Sequence, residues 1–355
     1  MPFNHFSDPR DIALGFTTDG FAPHKRRSKT AWPLLGINYN LSPDVRNHQE
    51  HFIPLGSIPG PKKPQDFDSF IWPLMQELLQ LELGVKAYDA LSDALFILRA
   101  YLIINIGDIP AMSLLMRVKG HNACSPCRMC KIIGVRGPHK TYYVPLDRRK
   151  CDDPSTPARY DPSELPIRTH DDFINEARHV QFSPNTSIAN KRAKEYGING
   201  IPVLSALSSL RFPLSFPYDC MHLWWANLIP NLIGLWTSSF KQMSLEGEGF
   251  FLEQAVWKEV CAASVRAGDT IPASFGCRVP DLEKHRGEVT AESTMVWTVF
   301  IAPIVLCGRF KQEKYYNHFI DLVRLLNLYL EFELPRSKVA EIEEGFARWV
   351  KQYER

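Results

Sequence analysis

Apolar and turn-forming positions divide the first third of the chain into a regular series. Ile12–Thr17 predicts a short strand that stops at the turn pair Asp19-Gly20. Trp32–Tyr39 and His51–Ser57 predict two more strands, set off by Ser42-Pro43-Asp44 and by Pro59-Gly60-Pro61. From Asp66 to Leu83, Phe70, Ile71, Leu74, Leu78, Leu79 and Leu81 recur at helical spacing, and Gly84 stands where a helix would stop. Ala94–Ile106 is a long apolar run whose end, Tyr101–Ile106, predicts a buried strand halted by Gly107-Asp108-Ile109-Pro110. The predicted order is β-β-β-α-β, with one Asp after the first strand and another after the fourth.

Beyond this series the pattern changes. Residues 121–200 are rich in Cys, Pro, Arg, Asp and His and predict irregular structure. Residues 202–236 return to apolar content, and 250–266, 314–333 and 337–353 predict amphipathic helices, so the second half is expected to be mostly α. The most apolar stretch, Leu223–Trp236, carries Asn227, Pro230 and Asn231 and falls short of the roughly 20 apolar residues of a membrane span. It predicts a core or interface segment.

Composition narrows the class without choosing a function. The 355 residues are 45% hydrophobic, enough for one large domain or two ordinary ones, and too apolar for disorder. A net charge of +2 announces no nucleic-acid partner, although a local basic face is compatible with it. Met1–Arg10 is polar and lacks the form of a signal peptide. Eight cysteines, three of them tightly clustered, read as reduced thiols with a candidate metal site in an intracellular compartment. Phosphate-loop, dinucleotide-fold, nucleophile-elbow and His-Glu-x-x-His motifs are missing from the sequence.

Asp19 and Asp108 each place a carboxylate where a strand hands over to a turn. Taken singly, either is an ordinary turn residue. In a β-β-β-α-β unit of ribonuclease H type, however, the first and fourth strands lie side by side. Their ends would bring both acids to one divalent cation, which favours hard oxygen ligands. A third acid is needed. Glu292, in Thr290-Ala291-Glu292-Ser293 ahead of the apolar run Met295–Leu306, would sit in the first turn of a helix. The same residues also form a helix-start signature, and spacing alone does not separate Glu292 from Glu288 or Glu283.

His121-x-x-Cys124-x-x-Cys127-x-x-Cys130 gathers four soft or borderline ligands within ten residues, a spacing that suits zinc; buried, unligated cysteines are the alternative. Asp219-x-x-His222 would share one helix face. It could complete such a site, orient the His222 ring, or be a helix-start Asp beside a core His. The basic run His24–Lys29, with Lys25, Arg26 and Arg27 at its centre, follows Asp19. It reads as a solvated loop or as a phosphate contact beside the acids. Trp224, Trp225 and Trp236 fit a core better than a base-stacking platform.

These stretches together resemble fungal transposases of the Plavaka type, within the CACTA (EnSpm-like) superfamily. The resemblance rests on Leu14–Phe21, Gly107–Ala111, Gly120–Cys130, Tyr196–Gly200, Phe216–Leu223, Thr290-Ala-Glu292, Tyr315–Phe319 and Trp349–Tyr353, and it spans nearly the whole chain. It implies an α/β fold: a ribonuclease H-like catalytic core interrupted by a large, mostly α-helical, cysteine-containing insertion. The core would open over residues 1–120, the insertion would fill 121–285, and helices over 286–355 would complete the core. It implies a DDE triad on Asp19, Asp108 and Glu292 using Mg²⁺ or Mn²⁺, and structural zinc on Cys124, Cys127, Asp219 and His222, with Cys130 and His121 nearby. The implied partner is DNA bearing terminal inverted repeats, in the nucleus, and a homo-oligomer is compatible with it. Ala226 stands where the family carries an acidic residue, the segment after Glu292 lacks an expected Trp, and the chain begins close to the first strand. These departures motivate a second expectation, a transposon-derived, catalytically inactive DNA-binding or interaction protein.

Overall fold

The computed structural model describes residues 4–21, 30–60, 64, 66–121, 123–136, 142–148, 159–241 and 243–355. It is a mixed α/β structure that divides into two compact units. The first holds the described residues within 1–145 and 165–219, the second those within 146–164 and 220–355.

The first unit is built on a four-stranded mixed sheet. Its strands are β1 (Ile12–Thr18), β2 (Ala31–Asn38), β3 (Ile53–Pro59) and, later in the chain, β6 (Ala100–Ile106), in the spatial order β3-β2-β1-β6. The β1–β2 and β2–β3 pairs are antiparallel, as a meander requires, whereas β6 returns parallel to β1. The β1–β6 register shifts between Leu14 and Gly15, and a side chain at Gly15 would collide with the Tyr39 ring. A glycine at a strand irregularity is thus required by contact.

One face of the sheet is covered by α1 (Phe67–Leu83). Asp66 caps it by accepting from the Ser69 backbone N–H at 3.4 Å, and Gly84 ends it with a positive φ of 106°. Ile71, Met75 and Leu78, at i, i+4 and i+7, are buried against Phe16, Leu34, Ile58 and Leu102 of the sheet. The periodic stripe that predicts the helix is also the stripe that is buried.

The predicted β-β-β-α-β order needs correcting. Between α1 and β6 lies a hairpin, β4 (Val85–Asp89) with β5 (Ala94–Leu98), which forms its own two-stranded sheet. Asp108 therefore follows the sixth strand. The apolar run from Ala94 is split: Leu95 and Ile97 are exposed, and the buried stretch begins at Ala100.

Residues 121–200 are less irregular than their composition predicts. They contain α3 (His170–Gln181) and α4 (Thr186–Tyr196), after a short α2 (Ile109–Leu115) that directly follows Asp108. Local signals account for both. Thr169 accepts from Asp172 N at 3.1 Å, Asn185 accepts from Ile188 N at 3.0 Å, and Gly197 ends α4 in the left-handed region at φ 73°. The buried Arg168 binds Glu176 at 2.7 Å, Tyr196 O at 2.7 Å, Ser125 Oγ at 3.0 Å and Cys130 O at 3.2 Å. One side chain thus ties the cysteine-rich segment to α3 and α4.

The second unit is helical over its larger elements. A π-helical stretch, Met221–Leu228, leads into α5 (Ile229–Trp236). Then come α6 (Gln254–Ala267), α7 (Ala291–Val296), a π turn at Trp297–Ile301, α8 (Ala302–Val305), α9 (Glu313–Tyr329) and α10 (Arg336–Tyr353). Trp225, Trp236, Trp257, Trp297, Phe319, Leu322 and Leu326 are buried in its core. Trp297 Nε1 donates to Ser264 Oγ at 3.0 Å, which satisfies the indole where no water reaches. Among the described residues no helix is long and apolar enough to cross a membrane.

Candidate functional site

The parallel pairing of β1 and β6 sets the geometry of the candidate site. Thr17 pairs with Ile106, so Asp19 and Asp108, each two residues further on, lie at the same end of neighbouring strands. Adjacent strands run about 4.8 Å apart, so the backbone positions from which the two acids depart are close. Gly107 allows the close approach: a Cβ there would stand 3.0 Å from Thr18 O and 2.9 Å from Met112 Cε.

The two acids differ in setting. Asp19 is exposed. Asp108 is half-buried and caps α2, where its Oδ1 accepts from Ala111 N at 2.6 Å. The reading of this residue as a local structural Asp thus holds in the form of a helix cap, which fixes the carboxylate and engages one oxygen. Near them several buried polar atoms have no hydrogen-bond partner among the described residues: Thr18 Oγ1 at the end of β1, Asn105 Oδ1 near the end of β6, and Arg128 Nε and Nη1.

Arg128 is the group that sequence reasoning misses. It is buried, its Nη2 donates to Pro217 O at 2.6 Å, and its guanidinium lies 4.1 Å over the Tyr218 ring. Burial pulls its pKa down, and the charges of Tyr218, Cys127, Asp108 and Asp219 oppose that shift. A buried cation thus sits in the field of one strand-end acid and of the Asp of Asp219-x-x-His222. Its only sequence signal is an Arg inside a cysteine cluster.

Of the predicted zinc ligands, Cys127 and Cys130 come together. Cys127 Sγ accepts from the backbone N–H of Met129 and of Cys130, both at 3.3 Å, and lies 3.6 Å from Tyr218 Oη. The Cys130 thiol donates to it as well, and these donors hold the Cys127 thiol down at about 5, while the same contact and burial push Cys130 up. The cradle favours a thiolate. Cys124 is half-buried and His121 lies in an exposed turn. Asp219 closes the first unit, and His222, in the first turn of the Met221–Leu228 helix, belongs to the second. Among the described residues no three Cys, His, Asp or Glu side chains converge to hold a metal ion. A Cys127–Cys130 pair supplies two of the four ligands of a structural zinc site, so no role is derived through zinc. Two carboxylates, by contrast, suit Mg²⁺, which takes one or two of them and fills its remaining positions with water and substrate phosphate.

Glu292 lies in the second unit. It is in the first turn of α7, as the sequence predicts, and its Oε1 accepts from Cys277 N at 3.1 Å. Thr290 and Ser293 form the reciprocal capping box, so Glu292 is not needed as a cap. Lys25, Arg26 and Arg27 lie outside the described residues.

The first unit is thus an α/β scaffold in which two acids follow neighbouring parallel strands. Residues 2–162 match the family model described as Transposase family tnp2, a stretch that contains Asp19, Asp108 and the cysteine block. The match supports a transposase family and a transposase-related function. No curated protein matches the chain.

Proposed function

We propose that this chain carries the catalytic region of a DDE transposase, built on a ribonuclease H-like core, that cuts and joins DNA phosphodiesters with two divalent metal ions. The single observation that supports the reading is the parallel β1–β6 register, in which Thr17 pairs with Ile106, two residues before Asp19 and Asp108 respectively. The resemblance to Plavaka-type CACTA transposases and the match to Transposase family tnp2 over residues 2–162 give that pair a reaction. The substrate is DNA bearing terminal inverted repeats, and the site of action is the nucleus.

In this reading Asp19 and Asp108 hold the metal ions, and Glu292 of the second unit is the third acid. Bound Mg²⁺ supplies Lewis-acid polarisation of the scissile phosphate and a nucleophile of lowered pKa. The protein's own work is positional. The α2 cap orients the Asp108 carboxylate before substrate arrives, and preorganised charge is what lowers a phosphoryl-transfer barrier. The buried Arg128 balances the acids that crowd this end of the sheet. Lys25, Arg26 and Arg27 supply phosphate contacts next to Asp19.

The test is cleavage of a duplex that ends in the inverted repeat flanking the coding sequence, with Mg²⁺ present. The expected product is a free 3′-hydroxyl that joins to target DNA, and Asp19→Asn abolishes it. Unchanged cleavage by Asp19→Asn, or cleavage that survives chelation, overturns the assignment.

A further inference from the structure

The second unit contains a cavity of about 740 Å³, between α5, α9 and α10. That lies inside the range of roughly 300–1,000 Å³ usual for ligand sites. Part of its lining is a stack of three rings. His318 lies on Trp349 with centroids 4.5 Å apart and planes 8° apart, and Trp349 lies on Tyr353 at 5.5 Å and 22°. Two reciprocal hydrogen bonds fasten the stack across the helices: Trp349 Nε1 donates to His318 O at 2.9 Å, and His318 Nε2 donates to Trp349 O at 3.0 Å. Trp349 is 5% exposed but Tyr353 is 45% exposed, so the stack begins in the core and ends in an open ring.

The polar groups of the lining narrow the occupant. Asn317 and Gln352 bring amides, which carry a donor and an acceptor side by side and match the edge of a nucleobase. Glu248 and Asp321 also line the cavity as acceptors for exocyclic amino groups, beside Lys314 and Arg355, which can meet a phosphate. The lining thus offers partners both for a base edge and for its phosphate. An adjoining cleft of about 210 Å³ shares Arg355 with the cavity and adds Arg159 and Lys351. The acid in that cleft nearest the chain end, Glu354, is already engaged, accepting from Leu146 N at 2.7 Å and Asp147 N at 3.2 Å. Lys351 approaches Asp161 at only 3.9 Å, an exposed pair that holds it weakly.

We infer that this cavity receives a single unpaired nucleobase of a DNA strand. The base stacks on the Tyr353 end of the ring stack, and its phosphates lie along Arg355, Lys351 and Arg159. A planar base has a stacking face whatever its identity, so the wall provides affinity and the amides of Asn317 and Gln352 provide preference. The inference rests on DNA as the substrate, but not on the acids of the first unit.

The experiment uses the full chain, in EDTA so that no strand is cut. The probes are a short duplex with one bulged 2-aminopurine, the same duplex fully paired, and the same duplex with an abasic bulge. Anisotropy reports affinity and 2-aminopurine fluorescence reports stacking. The bulged base is expected to bind most tightly and to be quenched. Tyr353→Ala should remove the quenching and weaken binding about 5- to 150-fold, the equivalent of roughly 1–3 kcal/mol for one stacked base. Lys351→Glu should lower affinity and flatten its salt dependence without restoring fluorescence. Equal affinity for the three duplexes overturns the inference, as does a Tyr353→Ala variant that is less stable yet binds the bulge unchanged. Loss of Mg²⁺-dependent cleavage in Asp19→Asn leaves this result untouched, so the two readings fail separately.

Discussion

Asp108 carries two roles that a pair of substitutions separates. It caps α2 through Ala111 N at 2.6 Å, and in the proposed reaction it holds a metal ion. Asparagine caps as well as aspartate but brings no charge, whereas alanine does neither. Loss of the cap costs about 1 kcal/mol, which in a unit of 150–250 residues lowers the melting temperature by roughly 2–4 °C. Loss of a metal-holding carboxylate removes several kcal/mol of transition-state stabilisation, and each ~1.4 kcal/mol is tenfold in rate. Asp108→Asn should therefore melt within about a degree of the parent and cleave inverted-repeat DNA at least ~10²-fold more slowly. Asp108→Ala should show the same slow cleavage together with the lower melting temperature. The assay is single-turnover cleavage at saturating Mg²⁺, with melting followed by circular dichroism on the same preparations. If Asp108→Asn cleaves like the parent while Asp108→Ala is impaired only as far as it is unfolded, Asp108 is a cap and nothing more.

Three further outcomes are expected. Arg168→Ala leaves Glu176, Ser125 Oγ and two carbonyls without their shared partner, and removing one side of a buried pair costs about 3–5 kcal/mol, measurable as a lower urea midpoint; a midpoint unchanged from the parent would show the network to be dispensable. Thr290→Ala breaks the α7 capping box and should cost about 0.5–2 kcal/mol, whereas Glu292→Gln, outside the box, should leave stability unchanged and affect only cleavage. Burial holds the pKa of His318 below its usual 6.5, so the unfolded chain binds the proton more tightly. Stability gained from this group is full above about 6.5 and falls as pH drops below it; His318→Gln should flatten that segment of a melting-temperature profile, and an unflattened profile would assign the loss to other groups.

The pattern of apolar positions made the central sheet legible to within two residues at each end, because those strands bury what the pattern says they bury. Leu14, Phe16, Leu34, Ile58 and Leu102 face α1, and the α1 stripe faces them. The β4–β5 hairpin was hidden for the opposite reason. Leu91 at its tip is fully exposed, and Leu95, mostly so, lies in the apolar run Ala94–Ile106 whose end reads as a buried strand. Apolar composition does not distinguish a residue that drives burial from one left in solvent. The helices α3 and α4 were hidden by polarity, since capping residues at Thr169, Asn185 and Gly197 announce them more clearly than hydrophobic spacing does.

For the candidate site the division is between what topology fixes and what contact fixes. That Asp19 and Asp108 follow neighbouring strands was expected from strand order, and the parallel β1–β6 pairing agrees with it, although Asp108 follows the sixth strand rather than the fourth. Nothing in sequence spacing brings Arg128 to them, because its place depends on Tyr218 and Pro217, ninety residues away along the chain. Yet the consequence is electrostatic and large in kind. A buried guanidinium with two nitrogens unpartnered among the described residues is costly unless negative charge stands near it, and Tyr218, Cys127, Asp108 and Asp219 oppose that cost. The acids at the strand ends and the cysteine cradle are therefore linked through one cation, even though they appear in the sequence as separate motifs. A substitution that neutralises Arg128 should disturb both together, which neither motif predicts when read alone.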